Sequence, residues 1–397
     1  MTGDTSRTRT DGCDDQAGDR DQSDSCVQDN DRDPADDRAR ADRRGRILVW
    51  SVVAIVLATG AGLWATDGWP FRARYCWGAW YENSGPFFLS EGAVAEPEAR
   101  RESTRSGSPS AGATEQATCD VTVTSPLAPR GEAVEIKERV SLAIGPVPAG
   151  AKARRAWMAP YFDRSASPLP DGLEGFVGQD RALLVLPETC DVGGRPSAVT
   201  IRGARWQQDD GEESADPFPI GSPDQVTDLL VKAADAGMEE ADCAPDEPLR
   251  ATSPLVPVDG PPESAREHMD VCRVSGMRFA FARDHFPEWH AGAVAGKLRT
   301  CSVTTGPADA AQMPMAQYAM VSSPRLAALF DGLPEGVDQG VLRAVCKGRP
   351  TVFYGNVDAS VAGEAVPDAT TVFTHFMKAA AARSECPDAG RANRGNT

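Results

Sequence analysis

The sequence predicts an α+β protein with one N-terminal transmembrane helix and a disulfide-bonded extracytoplasmic region of two tandem, duplicated α+β units. Three observations carry this expectation. Ile47 to Ala65 holds no charged residue and follows an arginine cluster. Eight of the ten cysteines lie beyond it. A series of short motifs then occurs twice, in the same order.

Residues 1–46 carry thirteen aspartates and nine arginines, and between the initiator and the apolar span their one large apolar side chain is Val27. Such a segment cannot bury enough surface to fold, so it reads as a disordered acidic cytoplasmic tail. Cys13 and Cys26 would sit there in a reducing compartment, without the histidines or paired cysteines of a zinc site. Asp29 to Asp33 has the spacing of a calcium loop. Pro34 takes its glycine position and Arg40 its bidentate glutamate position, which excludes the site.

Residues 47–65, rising about 1.5 Å each as a helix, just cross a hydrocarbon core of about 30 Å. Trp50, Trp64 and Trp69 suit its interfaces. Arg38, Arg40, Arg43, Arg44 and Arg46 precede the span, while Arg72 and Arg74 alone follow closely, so the N-terminus is expected in the cytoplasm and the rest outside. The rival is a cleaved signal peptide with Ile47 to Leu57 as its apolar part and Thr59-Gly60-Ala61 as the cleavage site. A 46-residue leader is long for that, and no lipobox precedes Cys76. A single pass through the lipid bilayer is expected, since no second apolar run of that length occurs.

The chain's net charge is −17, of which the tail holds −4 and the outer region −13. That balance argues against a nucleic-acid or anionic-lipid partner bound through bulk electrostatics. Six lysines stand against thirty-five arginines, amid abundant Ala, Gly, Asp and Pro, a bias typical of GC-rich coding and expected of a high-GC actinobacterium.

The outer region opens with Tyr75-Cys76-Trp77-Gly78-Ala79-Trp80-Tyr81 and Gly85-Pro86-Phe87-Phe88-Leu89-Ser90-Glu91. This aromatic, glycine-rich opening after a single span, with the cysteine layout, resembles a family of uncharacterised actinobacterial single-pass membrane proteins with a cysteine-containing ectodomain. The resemblance implies no assigned chemistry. Trp77, Trp80, Phe87 and Phe88 read first as core of a small domain, and second as a ligand- or partner-stacking surface.

Residues 91–118 shift to Ala, Glu, Arg, Ser, Thr, Gly and Pro and read as a flexible insert in the first unit. Beyond it the repeats begin. Leu169-Pro170-Asp171-Gly172 is echoed by Leu333-Pro334-Glu335-Gly336, and Cys190 with Gly194-Arg195-Pro196 by Cys346 with Gly348-Arg349-Pro350. Strand-like runs follow at Ser197 to Ile201 and Thr351 to Tyr354. Pro223-Asp224 and Pro367-Asp368 open two helical patterns. Their apolar faces are Val226, Leu229, Leu230 and Ala233 in the first, and Val372, Phe376, Met377 and Ala380 in the second. Upstream, Cys119-Asp120-Val121-Thr122 matches Cys301-Ser302-Val303-Thr304, and Cys76 matches Cys272.

The eight cysteines Cys76, Cys119, Cys190, Cys243, Cys272, Cys301, Cys346 and Cys386 thus form two sets of four, expected to be disulfides in an oxidising compartment. Four cysteines allow three pairings. First with second and third with fourth is favoured, because the third follows a buried strand and the fourth ends the helix that packs on it. The first unit spans 69–250, with an extra strand at Ala182 to Leu186. A proline-rich linker covers 251–263, the second unit 264–387, and a disordered C-terminus 388–397.

Chemistry is less legible. Leu186-Pro187-Glu188-Thr189-Cys190 has a sortase-signal outline, but it lies mid-domain with Cys190 in place of glycine and reads as a strand end leading to a disulfide. Cys-x-x-Cys, Gly-x-Ser-x-Gly and phosphate-cradling glycine loops do not occur. His285, Glu288 and His290, beside Asp284, form a metal or acid–base candidate, with Pro287 expected to open a helix that turns the two imidazoles apart. The spacing favours a helix surface over a metal site, so no metal or cofactor is expected and no catalytic residue is assigned. Two function classes remain. One is an extracytoplasmic recognition or interaction module with an envelope protein or glycan partner; the other is a cell-envelope hydrolase using acidic residues.

Overall fold

The computed structural model describes residues 72–127, 134–162, 166–207, 215–256, 270–279, 287–291, 298–305, 313–357, 365–366 and 368–386. The expected tail, span and C-terminal stretch lie outside them. Among the described residues no helix is long and apolar enough to cross a membrane. The fold is mixed α and β, with several antiparallel sheets.

The first half starts with a small ladder of β1 (Arg74–Tyr75) and β2 (Trp80–Tyr81). Its main sheet holds β3 (Arg100–Ser106), β4 (Ala117–Leu127), β5 (Val134–Pro146), β6 (Ser167–Pro168), β7 (Gly175–Val177), β8 (Arg181–Val185) and β9 (Ser197–Gln207). The order is β3-β4-β5-β9-β8-β7-β6, with β10 (Ala215–Pro217) also on β9. Helix α1 (Ala151–Met158) leaves β5, and α2 (Pro223–Glu240) covers one sheet face. Ser222 caps α2: its hydroxyl accepts from the Gln225 N–H, and the Gln225 side chain accepts from the Ser222 N–H, a reciprocal box that fixes where the helix begins.

The second half holds β11 (Arg278–Phe279), β12 (Pro287–Ala291), β13 (Leu298–Thr305), β14 (Met313–Val321), α3 (Pro324–Ala328), β15 (Val341–Cys346), β16 (Arg349–Val357), β17 (Ala365–Val366) and α4 (Ala369–Arg383). Its sheet order is β12-β13-β14-β16-β15, with β11 paired to β17. This is the order β3-β4-β5-β9-β8 of the first half, element for element. The Asp368 side chain accepts from the Thr371 N–H to start α4, as Ser222 starts α2. Even strained backbone recurs: Cys76 and Trp77 lie at φ 49 and 57, Cys272 and Arg273 at 52 and 56.

Four disulfides join Cys76–Cys119, Cys190–Cys243, Cys272–Cys301 and Cys346–Cys386, with Cα separations of 4.6 to 5.9 Å. In each half the first bridge ties the opening 3₁₀ turn to an inner strand. The second ties the segment before a tight turn, the 3₁₀ turn Glu188–Cys190 in the first half and the end of β15 in the second, to the residues just past the covering helix. The α2 positions Val226, Leu229, Leu230 and Ala233 are buried, as are Val372, Phe376, Met377 and Ala380 on α4.

Strand alternation sends successive side chains to opposite faces, and both faces of both sheets are buried in places. Ala182 and Leu184 of β8 pack toward α2, and Tyr318 and Met320 of β14 pack with α4. Leu183, Val185, Ala319 and Val321 enter a third core drawn from both halves. At its centre Phe162 lies 4.9 Å from Phe176, 6.0 Å from Phe330 and 5.4 Å from Tyr354, ring centre to ring centre. The result is helix, sheet, sheet, helix. The described residues from 72 onward therefore group as one compact unit.

Three local expectations are corrected. Residues 91–118 are not a structureless insert: the 3₁₀ turn Glu91–Val94 and all of β3 lie there, and β3 pairs with β4 from Arg100↔Thr124 to Ser106↔Thr118. Its side chains are exposed apart from Arg101, which pairs with Glu82 and donates to the Ser90 carbonyl, so backbone pairing and one arginine place it without any hydropathy signal. Pro287 opens strand β12, not a helix, because a proline at the first residue of a sheet-edge strand has no ladder hydrogen bond to lose. Residues 251–256 of the expected linker are fastened to the first half through Asp171.

Candidate functional site

A cleft of about 470 Å³ opens where the halves meet. Its first wall is the turn between β6 and β7, including Leu169, Pro170, Asp171, Leu173 and Glu174. Asp171 and Gly172 lie at φ 55 and 78, the left-handed pair that a two-residue turn of this kind requires. Gly175 closes the wall against β8. A Cβ there would sit 2.0 Å from the Leu183 carbonyl oxygen, so only glycine allows the approach. The opposite wall is Leu298, Ser323, Leu326 and Arg349 of the second half, and Pro254 and Val256 form a strap along the rim. A hollow of about 310 Å³ lies against the same strap, where Pro254 and Leu255 meet Thr227 and Val231 of α2.

The walls are braced across the junction. Glu174 accepts from the Leu326 N–H at 3.0 Å and from the Ser323 hydroxyl, so a first-half carboxylate caps a second-half helix. Arg325 returns the contact, donating to the Leu186 carbonyl and to Asp191. Buried Arg154 reaches the Asp331 carbonyl, and Arg155 that of Gln339 at 2.8 Å. Charge-assisted hydrogen bonds to fixed backbone groups hold the cleft's shape.

Asp171 accepts from the N–H groups and hydroxyls of both Thr252 and Ser253, which pins the strap. The Ser253 hydroxyl, then the two N–H groups, hold its carboxyl well below the usual range. Both acids of the cleft are thus engaged by the protein's own donors, Asp171 through both oxygens and Glu174 through Oε2. Arg349 is different. Its guanidinium makes no ion pair or hydrogen bond among the described residues and is exposed on the cleft wall.

Its counterpart explains the contrast. Arg195 and Arg349 each follow a two-residue turn of positive φ, Gly193-Gly194 at 57 and 72 and Lys347-Gly348 at 51 and 76. Arg195 is consumed, donating to the carbonyls of Val147 at 2.8 Å and Thr114 at 3.0 Å. The Cys346–Cys386 bridge fastens the turn that carries Arg349. The echoed motifs of opposite halves therefore meet in one place: the Leu-Pro-Asp-Gly turn of the first and the Gly-Arg-Pro turn of the second.

Other sequence candidates lie elsewhere. His285, Asp284 and His268 fall outside the described residues. Glu288 and His290 sit in β12 opposite Thr304 and Ser302, and His375 Nδ1 bonds the Gly276 carbonyl at 2.8 Å. Among the described residues no cluster of His, Cys, Asp and Glu is arranged to hold a metal. Trp80 and Phe88 fill the core edge to face at 6.0 Å, with the indole N–H donating to the Leu229 carbonyl, whereas Phe87 is exposed. No protein-family model, curated protein or solved structure matches the chain.

Proposed function

We propose that the chain is a membrane-anchored extracytoplasmic recognition module of the cell envelope whose two halves arose by duplication and bind a ligand in the cleft between them. The carrying observation is the cleft itself, preformed at the junction, braced by hydrogen bonds from both halves and lined mainly by apolar side chains. Matching strand order, disulfides and helix starts support duplication. Four disulfides support an oxidising compartment, and the uncharged span behind its arginines supports a single pass with the N-terminus inside. Membership of the actinobacterial single-pass family belongs to the same proposal. The hydrolase alternative gains less, because Asp171 and Glu174 are already spent on the strap and on α3.

The test is site-specific photocrosslinking in the native envelope. A photoreactive residue replacing half-buried Leu173 should trap an envelope component, and Val256→Trp, which fills the cleft from its exposed rim, should abolish the adduct. Equal trapping with Val256→Trp places recognition outside the cleft.

A further inference from the structure

We infer that the cleft binds a small aliphatic amphiphile with one carboxylate, its chain against the leucines and its anion on Arg349; this rests on the cleft being the recognition site. Size sets the class first. About 470 Å³ is within the range of small-molecule sites and below what a folded partner surface occupies. The apolar lining comes from Leu169 and Leu173 on one side and Leu298 and Leu326 on the other, and among the described residues it is aliphatic, without an aromatic side chain to stack a ring or sugar.

Charge complementarity then fixes the polar end. The two cleft carboxylates are fixed on the turn between β6 and β7 by uncharged donors, Thr252 and Ser253 on Asp171 and Ser323 and the Leu326 N–H on Glu174. The cation on the cleft wall is Arg349, which makes no ion pair among the described residues and presents a planar fork suited to a carboxylate. The same position in the first half shows what the fold does with this arginine when no ligand is needed: Arg195 is locked onto two carbonyls. Among the described residues Arg349 has no such acceptors, and it stands on a turn held by a disulfide, on the wall of a cleft lined mainly by apolar side chains.

The full chain in native membranes is exposed to a diazirine-bearing dodecanoate, or to the matching dodecanol probe, and irradiated, and labelled peptides are mapped. The carboxylate probe should label peptides containing 168–175 and 323–326. Octanoate should compete more weakly than dodecanoate by about fourfold per methylene. Arg349→Gln should reduce carboxylate labelling by about tenfold or more while leaving alcohol labelling unchanged, and Arg349→Lys should retain most of it. Arg349 is exposed and has no side-chain partner among the described residues, so neither variant should disturb folding. Equal cleft labelling by both probes, indifferent to Arg349→Gln, keeps an apolar recognition cleft but overturns the carboxylate assignment. Displacement by an apolar peptide with a free C-terminus at lower concentration than dodecanoate overturns the small-amphiphile assignment. Labelling confined to other peptides, with no Leu173 photoadduct, overturns the cleft reading itself.

Discussion

Replacing Cys386 by serine removes the bridge that closes a separation of 40 residues and fastens the end of α4 to the turn carrying Arg349. The loop-closure relation gives about 4 kcal/mol for a loop of that length, inside the 2 to 5 kcal/mol that loss of a native bridge in a small secreted domain typically costs. The effect should be local in origin, because the other three bridges, including Cys190–Cys243 at the end of α2, are untouched. Pulse proteolysis of the full chain across a urea series reads the stability change. Thiol labelling before denaturation reads the newly exposed sulfur. Cys13 and Cys26 should label in both proteins once the membrane is permeabilised, and Cys346 in the variant alone. A midpoint that does not move, or a non-reducing peptide joining Cys243 to Cys386 or either of them to Cys76, would refute the correspondence of the two cysteine sets.

Two further outcomes follow from named groups. The Asp171 carboxyl is held low by Ser253 and Thr252, so its contribution is fully present above the unfolded carboxylate pKa of about 3.9 and is lost as pH falls through the folded value. Hydrogen exchange at 251–256 should be flat from about pH 7 to 5 after correction for intrinsic rates and rise in stronger acid; Asp171→Asn should show fast exchange across the range, and an unchanged profile would remove Asp171 as the strap's anchor. For topology, a reporter fused after Thr397 should be active outside the membrane and Cys13 should label only after permeabilisation, whereas labelling in intact cells reverses the orientation.

The helices were legible because Val226-Leu229-Leu230-Ala233 and Val372-Phe376-Met377-Ala380 repeat at helical spacing and each follows a capping side chain. The bridges were legible because their order repeats. β3 was not: Arg100 to Ser106 is polar, and hydrogen bonds to β4 together with the contacts of Arg101 to Glu82 and the Ser90 carbonyl place it. The shared core left one trace, the unbroken apolar run Ala182 to Leu186, whose two-sided burial implies a covered second face without saying what covers it. The cleft left two, the echoed Leu-Pro-Asp-Gly and Gly-Arg-Pro turns. Their meeting across the halves depends on how the sheets stack, which no local pattern encodes. Arg349 could not be separated from Arg195 in sequence, since the difference lies in which carbonyls each one reaches.

The claim that both halves form one body around a shared core is tested most directly by Phe330→Ala. Phe330 is fully buried, 5.3 Å from Tyr354 of its own half and 6.0 Å from Phe162 of the other, and truncating such a ring typically costs about 3 to 5 kcal/mol. Hydrogen exchange followed by mass spectrometry on the full chain separates Val226–Ala233 of α2 from Val372–Ala380 of α4. If the halves unfold as one unit, the slowest amides of both helices should accelerate together, by about a thousandfold for ~4 kcal/mol. Acceleration in α4 with α2 unchanged would contradict the shared core and restore two independent domains.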